Sequence, residues 1–225
     1  MKMGGWLDFG FMEKYLPWYV DAAWLTVRVA LFGILFALIV GFLCSVIQYY
    51  KIPVLRRIVS VYIAISHNTP LLIQLYFIYF GFPKIGIMWS AEVCAIFGLA
   101  FLGGSYMAET LRSGLESVEP IQIESAQSLG FGKFSAMKNI IMPQALAVSV
   151  PGLVANVIFL IKETSVVSAI ALADLMYVTK DLIGLYYKTD EALVMLVISY
   201  LIILLPISII ATILERRLRY AGFGN

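Results

Sequence analysis

Five long apolar stretches constrain the fold of this chain most, because each is long enough to cross a bilayer. They cover about residues 26–48, 58–80, 91–111, 145–172 and 192–214. A helix needs roughly 20 apolar residues to span the hydrocarbon core, and in lipid its backbone groups must pair within the helix. With 61% hydrophobic residues, the sequence predicts an all-α polytopic membrane protein, a single domain over residues 1–225 with five transmembrane helices.

The segment before the first span and the second span itself carry features that modify a simple pattern of straight helices. Residues 1–21 mix aromatic side chains with scattered charges, which predicts an interfacial segment at the level of the lipid headgroups. The second span contains Pro70, which removes a backbone hydrogen bond and predicts a kink or break. Cys44 and Cys94 lie inside predicted spans at no metal-ligand spacing, so we expect them to be packing residues.

A polar interruption over residues 119–143 separates the third and fourth spans. Pro120 is a first-turn signal for a helix, and Gly130 stands where such a helix would end. A second helical run is expected over 133–141, and Pro143 marks the next start. Two short amphipathic helices between spans predict a docking surface.

The distribution of Lys and Arg predicts the orientation of the spans. One side holds Lys51, Arg56, Arg57, Arg112, Lys133, Lys138, Arg216, Arg217 and Arg219, and the other holds Lys2, Lys14, Lys84, Lys180 and Lys188. The richer side is cytoplasmic in most membrane proteins. With five spans, this predicts an external N-terminus, a cytoplasmic C-terminus and a cytoplasmic loop at 119–143.

The cytoplasmic loop carries a pattern of known families. Glu124-Ser125-Ala126, Gly130 and the run from Ile140 to Pro143 resemble the EAA loop of bacterial ABC importer permeases, in which E-A-A is followed by glycine and then by I-x-L-P. This chain departs from that pattern at Ser125 and at Met142. The spacing of the two blocks matches, and Ser125 and Ala126 are short enough for a helix to seat closely on a partner.

Three further segments are similar to the polar amino acid permeases within that group. The run from His67 to Gln74 resembles R-G-T-P-L-L-V-Q, with His67-Asn68 in place of R-G. Tyr106–Glu109 and Lys162–Ser165 resemble Y-x-A-E and K-D-T-S. The resemblance extends over most of the chain.

The resemblance implies a complete assembly in a bacterial cytoplasmic (inner) membrane. The fold would be that of a type I ABC importer permease, paired with a second copy or a related permease. Two ATPase subunits and an extracytoplasmic solute-binding protein would complete the importer, and the substrate would be an amino acid. The loop would be the ATPase-coupling element, with Glu124, Ser125, Ala126, Gly130, Ile140 and Pro143 as its site residues.

The chain shows no catalytic motif of its own. A P-loop requires G-x-x-x-x-G-K-[ST], whereas here Gly132-Lys133 is followed by Phe134, and Gln127 occupies the first glycine position. His67, the single histidine, has no acidic neighbour in sequence, which argues against a metal site. We therefore expect no cofactor in this chain, no enzymatic activity, and ATP with Mg²⁺ on the partner ATPase.

Polar residues inside spans predict the substrate passage, because such groups usually face a cavity or one another. Ser149, Gly152, Asn156 and Glu163 fall within roughly 60° on a helical projection, which predicts a stripe facing the dimer interior. Glu163 would receive an ammonium or guanidinium group, which favours basic amino acids, although glutamine and other polar amino acids stay open. The assigned residues are Asn68, Thr69, Asn156, Lys162, Glu163, Thr164 and Ser165.

Alternatives remain at this point for both the residues and the function. Lys162 and Glu163 are equally consistent with structural pairing elsewhere in the fold. Glu109 is expected to pair with Arg112, three residues on. An ion-coupled secondary transporter is disfavoured by the lack of a visible internal repeat. A membrane scaffold would leave the polar residues within the spans unexplained.

Overall fold

The computed structural model describes the backbone of residues 7–222 and the side chains up to residue 213. In this part of the chain the regular structure is helical. The α-helices are α1 (Phe9–Tyr49), α2 (Leu55–His67), α3 (Leu71–Tyr76), α4 (Ala91–Glu116), α5 (Pro120–Ser128), α6 (Lys133–Ala136), α7 (Met142–Glu163), α8 (Leu175–Tyr186) and α9 (Thr189–Gly222). Short π-helical turns cover Phe77–Gly81 and Met137–Ile141, and 3₁₀ segments cover Phe82–Ile85 and Thr164–Ile170.

Four helical segments within the described residues are long and apolar enough to cross a membrane: Phe9–Tyr49, Ala91–Glu116, Lys133–Ile170 and Thr189–Ile213. The pair Leu55–His67 and Leu71–Ile85 makes a fifth if its two parts count as one span. The predicted fold class is confirmed. The predicted orientation stays a prediction, and several of the charges behind it (Lys2, Arg216, Arg217 and Arg219) lie outside the described side chains.

The break in the second span occurs where Pro70 predicts it. Helix α2 ends at His67, and α3 begins at Leu71. The Asn68 side-chain amide donates to the backbone carbonyl of Ala64 at 2.8 Å, which satisfies an acceptor at the end of α2. The broken span is therefore a capped terminus followed by a new helix.

Helix α1 begins at Phe9 and not near residue 26. Its first turns carry Tyr15, Tyr19 and Ala22, which are buried in a cluster with residues of α8 and α9. The Tyr19 hydroxyl lies 2.9 Å from the Thr179 hydroxyl and also donates to the Ala192 carbonyl. These contacts extend the helix beyond its membrane-length portion. A headgroup location for residues 1–21 stays a prediction, and Trp6 lies outside the described residues.

The chain divides into two compact units, and the first consists of Met1–Gly33, Pro70–Leu99 and Phe159–Ile207. Its α1 begins at an ionic cluster. The Lys188 ammonium lies 3.1 Å from one Asp8 carboxylate oxygen, and the Asp8 backbone N–H donates to Glu191 at 3.0 Å. Hydrogen bonding from Phe11 and Lys188 lowers the pKa of the Asp8 carboxyl. The start of α1 is thereby fixed to the start of α9.

The second unit consists of Ile34–Thr69, Ala100–Ile158 and Ser208–Asn225. Its helices approach closely at small residues. A Cβ at Gly104 would lie 2.7 Å from the Tyr62 hydroxyl oxygen, and one at Gly41 would overlap Met107. The Tyr62 hydroxyl donates to the Phe101 carbonyl at 2.6 Å. Small side chains therefore permit the tight packing of α1 and α2 against α4.

Both cysteines have the packing role predicted for them. Cys44 and Cys94 are free and buried. Cys44 lies in a cluster with Val59, Ile63 and Ala108. Each thiol thus behaves as a small apolar side chain.

Candidate functional site

The loop between α4 and α7 begins with helix α5, whose two ends are those predicted. Glu119 is the extended N-cap residue, and Pro120 occupies the first turn. Gly130 has a φ of +83°, in the left-handed region that favours glycine. The Phe131 N–H donates to the Ala126 carbonyl at 3.0 Å, and the Gly130 N–H donates to Gln127 at 2.9 Å. This pair of bonds is a Schellman motif, so Gly130 ends the helix and turns the chain.

The second predicted loop helix is not separate from the fourth span. Residues 133–163 are helical without a break, although Pro143 was expected to start a new helix. A proline in a helix lacks an N–H donor and crowds the carbonyl one turn earlier. The π turn at Met137–Ile141 ends two residues before Pro143, and widening of the helix in this turn accommodates the ring.

The predicted coupling residues differ in their exposure. Glu124, Ser125, Gly130 and Pro143 are exposed, Ile140 is half-buried, and Ala126 is buried. Within the described residues no salt bridge involves Glu124, so its carboxylate is available to a partner. The Gln144 amide donates to the Gln122 side chain, which links α5 to the start of α7.

Two large apolar side chains near Gly130 are exposed: Leu129, which the sequence places on the apolar side of α5, and Phe134, which sequence reasoning missed. Leu129 is 77% exposed and Phe134 is 81% exposed. Large apolar groups on both sides of a helix-ending glycine were a usable signal, because a solvated turn gains nothing from them. Together with Glu124, they give this surface apolar and acidic contact groups.

The Lys162–Ser165 segment lies where α7 passes into a 3₁₀ segment. Lys162 is exposed, Glu163 and Ser165 are half-buried, and Thr164 is fully buried. The Thr164 hydroxyl donates to the Ile161 carbonyl at 2.7 Å, so this buried side chain bonds the start of the 3₁₀ segment to the last turn of α7. Among the described side chains, neither Lys162 nor Glu163 forms a salt bridge. The alternative that these two residues form structural ion pairs therefore finds no partner in the described part of the chain.

The predicted polar stripe on α7 is wrong for Ser149 and Gly152, which face α4. The Ser149 hydroxyl donates to the Thr110 carbonyl at 3.3 Å, and a Cβ at Gly152 would lie 2.7 Å from the Thr110 methyl. Asn156, half-buried, donates to the Thr110 hydroxyl at 2.9 Å. These residues form a helix–helix contact. The two helices can approach closely because Gly114, one turn from Thr110 on α4, carries no Cβ that would meet Ser149.

His67 has an acidic neighbour in space that its sequence context does not reveal. Its Nδ1 lies 3.6 Å from a Glu109 carboxylate oxygen, and its ring stacks on Tyr106 at 4.2 Å. The expected Glu109–Arg112 pair is wrong, because Arg112 binds Glu116 at 2.7 Å, one full turn along α4. No group of three or more metal-ligating side chains occurs among the residues that the structure describes.

Asn68 and Thr69 belong to the second unit, together with Asn156. Asn68 is exposed, and its amide is engaged with Ala64, whereas Thr69 is half-buried. The Lys162–Ser165 segment belongs to the first unit. The predicted substrate residues are thus distributed over both units.

A buried carboxylate beyond the 3₁₀ segment was not anticipated. Asp174 is fully buried, and one of its oxygens accepts a hydrogen bond from the Tyr177 backbone N–H at 2.9 Å, which caps α8. Burial raises the pKa of the Asp174 carboxyl to about 6, against hydrogen bonds and the nearby Lys180 charge that lower it. The signal in the sequence was the position of Asp174 directly before an amphipathic helix.

Comparison with known proteins gives a consistent result. Residues 33–220 match the family model described as binding-protein-dependent transport system inner membrane component. The chain is 32% identical over 213 residues to a probable amino-acid permease protein, YxeN, of Bacillus subtilis, which covers 93% of this chain and 95% of that protein. It is 31% identical over 214 residues to a putative glutamine transport system permease protein, GlnP, of Rickettsia conorii, which covers 93% and 98% of the two chains.

Solved structures resemble the chain over nearly its whole length. A crystal structure of an amino acid ABC transporter with histidines superposes with a TM-score of 0.86 at 30% identity, covering 94% of this chain and 99% of that one. An inward-facing MetNI methionine ABC transporter superposes with a TM-score of 0.75 at 20% identity, covering 92% and 98%. The second likeness concerns the fold alone.

Proposed function

The chain belongs to the family of binding-protein-dependent transport system inner membrane components, as a multi-pass inner-membrane permease subunit of an amino acid ABC importer, and we propose that it translocates polar, basic amino acids. An external solute-binding protein delivers the amino acid. Two partner ATPases, which carry ATP and Mg²⁺, drive alternating access through a dimer of permeases. Membership of this family leaves no role for an ion-coupled secondary transporter or a scaffold.

The loop at 119–143 is proposed as the joint that receives force from the ATPase. Support comes from the Schellman turn at Gly130, which gives α5 a defined end, and from the helix that continues without a break from Lys133. Glu124 offers a charge, whereas Leu129 and Phe134 offer apolar anchors. Force transmission requires a fixed shape, and the turn at Gly130 and the continuous helix from Lys133 support that role.

Glu163 is proposed as the residue that receives the positive group of the substrate. Its half-buried carboxylate, with no salt bridge in the described part of the chain, carries this proposal. A carboxylate in an apolar span is costly unless it meets a cation or a polar passage. Lys162 and Thr164 are its neighbours in sequence, Ser165 follows them, and Thr164 is buried. Asn68, Thr69 and Asn156 stay individual predictions as substrate residues.

The test is transport and substrate-stimulated ATPase activity of the assembled complex with Glu163→Gln. We expect weaker binding of basic amino acids by about tenfold or more, since a lost charge-assisted hydrogen bond contributes roughly 1.5–3 kcal/mol. The control is Glu13→Gln, which makes the same change at an exposed position of α1. Unchanged affinity and selectivity in Glu163→Gln would remove this assignment.

A screen of the common amino acids against the purified complex tests the substrate class. A bound substrate raises the unfolding temperature by mass action. Stabilisation by arginine, lysine or histidine is the expected result. Stabilisation by glutamine alone would contradict the proposed preference for basic amino acids and leave the importer assignment intact.

A further inference from the structure

The 3₁₀ segment Thr164–Ile170 is longer than such segments usually are. It contains seven residues, whereas runs beyond three or four are uncommon because the hydrogen-bond geometry is poorer than in an α-helix. It ends at Ala171, which has a φ of +57° although it carries a Cβ. A segment with weak internal bonding depends on contacts from its neighbours for its conformation.

Helix α8 supplies a polar contact through a chain of hydrogen bonds. The Lys180 ammonium donates to the Ser168 hydroxyl at 3.0 Å. The Ser168 hydroxyl donates in turn to the backbone carbonyl of Ser165 at 2.9 Å. Successive hydrogen bonds in a poorly solvated place polarise and strengthen one another. The chain runs from a side chain on α8 to the backbone of a proposed substrate-binding residue.

Asp174 fixes the start of α8, the helix that carries Lys180. Its buried carboxylate accepts a hydrogen bond from the Tyr177 N–H and caps this helix. Ser168 is only 8% exposed, so the hydroxyl that receives the ammonium is largely shielded from competing water. Val167 and Ile170, both almost fully buried, fix the apolar side of the same segment.

We propose that Lys180 is a positioning residue for the substrate site: through Ser168 it holds the Ser165 carbonyl, and with it the backbone that presents Glu163 and Ser165. The proposal rests on the proposed function, because it assigns Lys180 a role through residues of that site. Lys180 does not itself contact the amino acid. Its loss lets the 3₁₀ segment sample other conformations, which lowers affinity for substrate while the ATPase-coupling loop is left unchanged.

The experiment compares Lys180→Met and Ser168→Ala in the complete complex reconstituted in lipid. We expect each to raise the KM for import about fivefold, the loss of one hydrogen bond of ordinary strength, with ATPase activity in the absence of substrate unchanged. Lys180→Arg, which retains a donor and a charge, should restore most of the affinity. The control is Asp181→Asn, which changes the charge of the adjacent exposed residue and should leave KM unchanged.

The outcomes separate this proposal from its premise. A KM unchanged in both Lys180→Met and Ser168→Ala, or raised equally in Asp181→Asn, overturns the positioning role. A lower unfolding temperature and a lower maximal rate with the same KM would show a structural role and also overturn it. If Lys180→Met does not assemble, Ser168→Ala, which removes one hydroxyl, decides alone. Absence of amino acid import by the unaltered complex would instead refute the proposed function.

Discussion

Single residues set the ends of the short helices on which the proposed mechanism depends. Gly130 ends α5 through its left-handed backbone, and Asp174 begins α8 through its buried carboxylate. The two residues act by different physics. At Gly130 the backbone conformation restricts the residue type, since a Cβ there would meet nothing within 4 Å. At Asp174 the buried carboxylate caps the helix, and the same burial makes its ionisation costly.

Replacing Gly130 by valine should uncouple ATP hydrolysis from import. A β-branched residue in the left-handed region is strained by about 1–2 kcal/mol, so the Schellman turn should open and the direction of α5 should change. The measurement is amino acid import per ATP hydrolysed. Gly132→Val is the matched control, because Gly132 has a φ of −68° and open space around a Cβ. Normal coupling in Gly130→Val would show that the turn does not transmit force.

Asp174→Asn should stabilise the complex at neutral pH. Burial raises the pKa of Asp174 from 3.8 to about 6, so the ionised form is disfavoured in the folded chain. The free energy of unfolding therefore falls as pH rises from about 4 to about 6 and stays lower above that. Asparagine also caps helices and carries no charge, so the gain should be at most about 3 kcal/mol at pH 7.5 and vanish near pH 4.

Thermal unfolding of the purified complex across this pH range measures the effect of Asp174→Asn. Asp174→Ala is the comparison that removes both the charge and the cap, and it should be less stable than Asp174→Asn at every pH. A lower unfolding temperature for Asp174→Asn than for the unaltered protein at pH 7.5 would show that the ionised carboxylate stabilises this region.

At the scale of elements, the loop at 119–143 is one short helix followed by the extended start of a membrane span. Helix α5 is tied to α7 by the Gln122–Gln144 bond, and its Ile123 packs against a buried cluster that includes Ile141 and Ala145. Movement of α5 is therefore connected to the start of the fourth span by both polar and apolar contacts. Phe134 stands free of this cluster.

Phe134→Ala should weaken binding of the partner ATPase. An aromatic side chain that is 81% exposed beside the proposed coupling helix gains free energy only when a partner covers it. We expect the dissociation constant of the ATPase, measured on the permease in nanodiscs, to rise at least tenfold. Met88→Ala is the control, since Met88 is 83% exposed in a different loop. Equal effects of the two changes would exclude a specific contact.

The elements that sequence alone predicts well are those with local causes. Pro120 and Gly130 define α5, and Pro70 breaks the second span, because each acts through its own backbone. The early start of α1 depends on α8 and α9, which lie far along the chain, and Pro143 is accommodated by a π turn that no local rule requires. The contacts of Ser149 and Gly152 with Thr110 are likewise long-range, so sequence alone placed these two residues of the α7 stripe wrongly.

At the scale of the whole molecule, the distribution of charge predicts how the chain lies in the membrane. The richer Lys and Arg content of the 49–57 and 112–142 loops favours a cytoplasmic location for both. The same orientation would expose the 81–90 loop and α8 to the binding protein. The proposed mechanism requires this arrangement, because in it ATP and the loaded binding protein act from opposite sides.

Labelling of single introduced cysteines tests that orientation. Met88→Cys should react with a membrane-impermeant maleimide in spheroplasts, and Gln127→Cys should react only after the membrane is opened. The native Cys44 and Cys94 are buried, so background labelling should be low. Reaction of Gln127→Cys in closed spheroplasts would invert the predicted topology and with it the proposed site of the ATPase.

The close approaches along α4 limit how this permease can be engineered. Replacing a helical glycine with alanine commonly stabilises a protein by about 0.5–1 kcal/mol. There is no room for this substitution at Gly104, where the added methyl group would meet Tyr62, or at Gly114, where it would meet Ser149. At Gly184, in α8, the same methyl group would meet nothing within 4 Å. Directed evolution towards a more heat-resistant permease should therefore accept alanine at Gly184 and leave Gly104 and Gly114 unchanged.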